Sequence, residues 1–181
     1  MLMNAKDATL LVIDIQEKLL PVMFNRDVLA ACAEWLIGAA TDLGLPVVFS
    51  EQYPKGLGAT LPELLARAPL APVADKVFFS CVAGQCLPGK SLERPQFIVA
   101  GIETHICVLQ TVFELLALGK NVFVVTDVTG SRRELDHETA LQRMRDAGAV
   151  LVTREMVVLE MLRQAGTDIF RTISKRYLVE N

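Results

Sequence analysis

Polar and apolar positions along the chain fall into two alternating patterns, short unbroken apolar runs and longer stretches in which apolar residues recur every three or four places. Thr9–Ile13 is the first run, rich in β-branched residues and followed at once by Asp14. Pro46–Ser50, Phe97–Ala100, Asn121–Thr126 and Val150–Thr153 repeat the type. Such runs predict strands covered on both faces, because a half-exposed strand alternates instead. Asp27–Leu43 places Leu29, Cys32, Ala33, Leu36 and Ala40 at helical spacing and stops at Gly44. Val108, Val112, Leu115 and Leu116 mark a second helix ended by Gly119, and Glu134–Ala147 a third ended by Gly148. Leu61–Arg67 reads as a short helix, and Val157–Gln164 and Asp168–Lys175 as two terminal ones. Glu51–Gly58 and Asp127–Arg133 read as loops, Ala71–Phe79 as an extended segment, and Ala83–Gly89 as a Gly/Pro-rich passage.

Parallel strands need crossover connections, and these are right-handed. The alternation therefore predicts an α/β, three-layer fold: a parallel, Rossmann-like sheet of about six strands with helices on both faces. In such folds a ligand sits beyond the C-terminal ends of the strands, where the strand order switches direction. Asp14, the loop from Glu51 and the turn before Cys107 all fall at strand ends of this kind.

Composition narrows the picture. With 181 residues, 52% of them hydrophobic, the whole chain 1–181 is expected to form a single domain. The net charge of −3 is spread without long runs, which points to a small-molecule substrate and away from nucleic acid or a membrane surface. Asp14 interrupts the apolar stretch from Thr9 far short of the ~20 residues of a membrane span. A signal-peptide cleavage region is also missing, so a cytoplasmic protein is expected. Cys32, Cys81, Cys86 and Cys107 show no C-x-x-C spacing, and neither a disulfide framework nor a zinc scaffold is expected.

Cys107 stands near the start of a predicted helix, where free amides and the dipole favour a thiolate. That makes it a candidate nucleophile, although a cysteine between Ile106 and Val108 also reads as a small buried hydrophobe. Asp14 reads either as a chemical group or as a strand-end or capping acid, and Lys76 either as a site residue or as a surface lysine. His105 is two residues from Cys107, so on a helix the two point to different faces and the imidazole takes a substrate-side or structural role. His137 is expected on a helix surface. Gly84–Ser91 fits the P-loop pattern G-x-x-x-x-G-K-[ST], and Val122–Asp127 resembles a magnesium-holding strand end. Only Leu92, Glu93 and Arg94 separate Ser91 from Pro95, too few for the helix that a phosphate cradle requires, so a loop with a short helical turn is predicted.

Leu11-Val-Ile-Asp14-x-Gln16, Lys76 ahead of Val77-Phe-Phe-Ser80, and Gly101-Ile-Glu-Thr-His-Ile-Cys107, in this order, resemble the isochorismatase-like cysteine hydrolases over nearly the whole chain. That family includes nicotinamidases and enzymes similar to N-carbamoylsarcosine amidase. Glu51-Gln-Tyr-Pro-Lys-Gly-Leu-Gly58 resembles the loop of the uncharacterised isochorismatase-domain branch. The resemblance implies a catalytic triad of Asp14, Lys76 and Cys107. Asp14 would accept the thiol proton and return it to the leaving group, Lys76 would favour the thiolate, and Cys107 would attack an acyl carbon to give a thioester. It further implies an oxyanion hole from the backbone N–H groups of Glu103 and Cys107, a cis peptide between Ile102 and Glu103, and a homo-oligomer.

Nicotinamidases hold a divalent metal through Asp and His residues in the loop after the second strand. Here that loop offers Glu51 and Tyr53, with no histidine from Met1 to Cys86. No metal and no cofactor are therefore expected, and nicotinamidase activity is not favoured. True isochorismatases cleave a vinyl ether by protonation, so Cys107 favours amide, carbamoyl or thioester-type chemistry. Phe24, Gln52 and Tyr53 are candidates to line the substrate pocket. The alternative reading is a catalytically idle family member acting as an oligomeric binding or scaffold protein.

Overall fold

The first apolar run becomes an inner strand of a six-stranded parallel sheet in a computed structural model that describes residues 1–179. The strands are β1 (Ala8–Ile13), β2 (Val47–Gln52), β3 (Val73–Lys76), β4 (Gln96–Ile102), β5 (Asn121–Gly130) and β6 (Val150–Val152), in the order β3-β2-β1-β4-β5-β6. The helices are α1 (Arg26–Asp42), α2 (Pro54–Leu57), α3 (Pro62–Arg67), α4 (Gly89–Glu93), α5 (Leu109–Ala117), α6 (Glu134–Asp146), α7 (Arg154–Leu162) and α8 (Asp168–Ile173).

Unbroken apolar strands are needed because each feeds two cores. Leu10, Val12, Phe49, Ile98, Ala100 and Phe123 pack against Leu29 and Leu36 of α1, Leu64 of α3 and Val157 of α7. Their neighbours Leu11, Ile13, Val48, Phe97, Val99 and Val122 pack against Val112 and Leu115 of α5 and Ala140 and Met144 of α6. Fully burying one such side chain contributes about 1.5–3 kcal/mol, so the two-sided pattern fixes the three layers.

From β1 the chain builds outward through β2 and β3, then returns to the other side of β1 for β4, β5 and β6. The C-terminal ends of β1 and β4 therefore form the switch point of the sheet. Ile13 pairs with Gly101 there. Gly101 has φ of 124°, and a Cβ on it would lie 2.0 Å from the Ile13 carbonyl oxygen, so only glycine lets the two strands approach this closely.

Three readings of the sequence need correction. Asp127–Arg133 is not all loop, since β5 runs on to Gly130. Between Val99 and Gly101 the register slips, after which Gly101 pairs with Thr129 and Ile102 with Gly130. The polar residues that suggested a loop are accommodated by this bulge, with Val128 buried and Asp127 bonded to Arg154 at 2.8 Å. The last strand stops at Val152 and α7 starts at Arg154, earlier than the apolar pattern indicated. Thr153 is the N-cap, accepting from the Met156 N–H. The third case is Glu51–Gly58, which is not all loop: β2 runs on to Gln52 and α2 occupies Pro54–Leu57, whereas the extended segment Ala71–Phe79 does hold β3 over Val73–Lys76.

The P-loop pattern folds as expected from its setting. Ser80–Gln85 is a turn, followed by the five-residue α4, and β4 begins soon after.

Candidate active site

Asp14 directly follows β1 in a left-handed conformation, φ 54°, and its side chain is fully buried. Its N–H donates to the Ser50 carbonyl at 3.0 Å, and one carboxylate oxygen accepts from Ser50 Oγ at 2.7 Å. The other accepts from Lys76 Nζ at 2.7 Å. Lys76 is the last residue of β3, two strands away, and reaches across β2 to make this pair. Removing two charges from water costs several kcal/mol per ion, so the pair persists only because further bonds surround it. One is the contact from Lys76 Nζ to Gln52 Oε1 at 2.7 Å, and Gln52 is oriented in turn by donating Nε2 to the Val77 carbonyl at 2.9 Å. Gln16 clamps the same residue from below, accepting the Gln52 N–H at 2.7 Å and donating to its carbonyl at 3.1 Å.

Cys107 comes from the far side of the switch point. The peptide bond Ile102–Glu103 is cis, and Thr104–Val108 forms a single π-helical turn before α5. The sulfur is nearly buried and lies 3.9 Å from Gln52 Oε1. Burial above all, then the Asp14 carboxylate, pushes the Cys107 thiol up to about 12, against the opposing influence of Lys76. Burial by itself would lower the Lys76 ammonium, but Asp14, with Cys107 and Cys81, raises it above its ordinary value.

The expectation of a resting thiolate at Cys107 is thus overturned. A helix terminus alone lowers a thiol, whereas here the depth of the sulfur and the facing carboxylate raise it. At neutral pH the arrangement is a thiol beside a carboxylate that is itself held by an ammonium, suited to handing over the proton during attack.

The turn is fastened by side-chain bonds to residues well along the chain. The buried Glu103 carboxylate accepts from the Arg132 N–H at 3.1 Å and from Arg132 Nε at 2.9 Å. His105, expected in a substrate-side or structural role, has its Nδ1 3.0 Å from Ser131 Oγ. His137 is not a surface residue. It is buried, its Nδ1 is 2.9 Å from Thr104 Oγ1, and desolvation lowers its pKa despite Glu138 and Glu134. The helical pattern of α6 misplaced it because Thr104, its partner, is distant in sequence. Thr111 Oγ1 donates to the Cys107 carbonyl at 2.7 Å and accepts the Cys81 N–H at 3.0 Å, tying α5 to the turn after β3.

Of the candidate pocket residues, Gln52 lies between Lys76 and Cys107, accepting from Lys76 Nζ at 2.7 Å and lying 3.9 Å from Cys107 Sγ. Tyr53 is half exposed, left-handed with φ 39°, and joins the site through its N–H to the Lys76 carbonyl at 2.9 Å. Phe24 is partly exposed and packs against His137 at a tilt of 55°, with ring centroids 5.7 Å apart. The Glu51 carboxylate is engaged with the Thr60 N–H at 2.7 Å. Among the described residues no group of three or more His, Cys, Asp or Glu is placed to hold a metal ion.

Ser50 gives a direct test of how the carboxylate is held. Its hydroxyl is the second donor to Asp14, and a hydrogen bond to a charged group contributes about 1.5–3 kcal/mol. Ser50→Ala is expected to lower unfolding free energy by about 2 kcal/mol in urea titrations at pH 7, with Ser50→Thr recovering most of it.

The sequence model of the Isochorismatase domain matches residues 8–156. Isochorismatase domain-containing protein 2A of Mus musculus is 37% identical over 171 residues, covering 94% of this chain and 82% of that protein. The structure of MAR1 ribonuclease from Caenorhabditis elegans superposes with a TM-score of 0.92 at 36% identity, covering 99% of this chain and 94% of that one. The YcaC gene product of Escherichia coli, described as an octameric hydrolase of unknown specificity, gives a TM-score of 0.89 at 27% identity, covering 98% of this chain and 91% of that one.

Proposed function

The chain belongs to the isochorismatase family, whose fold supports a hydrolase-type function, and on that premise we propose that it cleaves a small amide, carbamoyl or related acyl compound through a thioester on Cys107. The observation that carries the reading is the fully buried Lys76–Asp14 pair at 2.7 Å, placed beside a nearly buried thiol. A buried ion pair is seldom the most stabilising filling for a core, so its presence at a sheet's switch point favours a chemical role.

In the proposed reaction the Cys107 thiol gives its proton to Asp14 as sulfur bonds to the acyl carbon. Lys76 remains an ammonium throughout and holds the carboxyl group in place. Backbone N–H groups of Glu103 and Cys107 receive the developing oxyanion. Collapse expels the amine, which takes the proton back from Asp14 and leaves a thioester. Water, losing a proton to Asp14, then attacks the thioester, and the acid departs as the thiol is restored.

A small substrate suits a buried site in which Lys76 is already paired with Asp14. That argues against a ribonuclease activity like the one named for the nematode relative, since a polyanion calls for free cationic surface and this chain carries a net −3. The proposal includes a homo-oligomer, supported by the octameric relative and by the exposed Val77, Phe78 and Phe79 immediately after Lys76. It also includes a cytoplasmic setting. No helix among the described residues is long and apolar enough to cross a membrane.

A screen of small amides, ureido acids and nicotinamide, run without added metal, tests the activity. Turnover of at least one compound class supports the reading. Absence of turnover across the screen, with a stable oligomer by light scattering, favours the idle scaffold.

A further inference from the structure

A pair of thiols lies outside the cluster of Asp14, Lys76 and Cys107. Cys81 and Cys86 close the turn that follows β3. The Cys86 N–H donates to the Cys81 carbonyl at 3.2 Å, and Cys86 Sγ contacts the same oxygen at 3.4 Å. The folded-back backbone sets Cys86 against Cys81, five residues earlier in the chain, with both the N–H and the sulfur of Cys86 on the Cys81 carbonyl. The turn is anchored on α5, since Ser80 Oγ donates to the Glu114 carboxylate at 2.6 Å and the Ala83 N–H donates to it at 2.9 Å. Cys81 is fully buried and Cys86 partly exposed, which gives the pair one accessible sulfur and one protected sulfur.

We propose that Cys81 and Cys86 form a peroxide-sensitive dithiol that closes to an intramolecular disulfide beside the active site. The neighbouring Cys81, with burial opposing and Lys76 assisting, lowers the Cys86 thiol, whereas Cys86 and burial raise Cys81. Cys86 is therefore the attacking sulfur. Its thiolate bonds to one peroxide oxygen, the O–O bond breaks, and the departing oxygen leaves as water after taking up a proton. The resulting sulfenic acid is attacked by the Cys81 sulfur. The S–S bond forms, the S–O bond breaks, and the hydroxyl leaves with the Cys81 proton as a second water. Two thiols and one peroxide thus give one disulfide and two waters. Cys107, deeper and with a raised thiol, is the slower target.

Trypsin isolates the question, because cleavage after Lys76 and Lys90 releases Val77–Lys90, which carries Cys81 and Cys86 and no other cysteine. The folded protein is titrated with hydrogen peroxide until a thiol is consumed, then denatured, blocked with N-ethylmaleimide and digested. The expected result is loss of two hydrogens from Val77–Lys90, no maleimide on it, and two maleimides after dithiothreitol. In Cys81→Ser, the sulfenic acid on Cys86 is expected to be trapped by dimedone. Val77–Lys90 still carrying two maleimides when another thiol has been consumed, or joined to the peptide of Cys107 or Cys32, overturns the proposal.

Discussion

Replacing Cys107 by alanine is expected to lower hydrolysis of any substrate found in the screen by about four orders of magnitude or more while the protein stays folded, because loss of a nucleophile removes the covalent route outright. The fold should survive. The side chain lost is small, and the turn that carries it remains tied by Thr111, Glu103–Arg132 and Thr104–His137. Circular dichroism and a thermal melt beside the rate assay separate the two effects. Cys32→Ala is the control, since Cys32 packs on the α1 face of the sheet beside Arg154 and should leave the rate unchanged. A Cys107→Ala protein that still turns over at near wild-type rate refutes the covalent mechanism.

The largest effect on stability is expected from Lys76→Met. It leaves the Asp14 carboxylate buried without its cation, and breaking a buried pair from one side costs about 3–5 kcal/mol. Combining Lys76→Met with Asp14→Asn removes both charges and should restore most of the loss, a contrast that denaturant titration of the three variants measures directly. The pH dependence follows from the sign of the lysine shift. The folded Lys76 holds its proton above its ordinary 10.5, so the stabilisation is fully present below that value and is lost as pH rises through the higher folded value. Wild type should therefore lose stability more steeply than Lys76→Met in alkaline solution.

Much of this was legible in the sequence because one physical signal dominates it. A strand buried on both faces must be apolar throughout, and Thr9–Ile13 and Phe97–Ala100 announce themselves for that reason. Asp14 was legible as the residue that ends such a run. What escaped was whatever depends on a partner far along the chain. His137 reads as surface until Thr104 is placed beside it, and Ser50 and Gln16 gain their roles only when β1 and β2 lie side by side. The Cys107 thiol was misjudged for the same reason. Position on a helix predicts a lowered value, whereas depth and the facing carboxylate raise it. Strand β5 reads short in the sequence because Asp127 and Gly130 carry the chemistry of a turn, yet a bulge admits them to the sheet.

The central claim is that Asp14 relieves the Cys107 thiol of its proton so that sulfur can carry the acyl group. Quenching the enzyme in acid during turnover, digesting it and weighing the Cys107 peptide tests this most directly. The account predicts the mass of the acyl group on that peptide, removed by hydroxylamine as a thioester is, and no such mass in Asp14→Asn. Steady turnover with the Cys107 peptide bare at every quench time would contradict it.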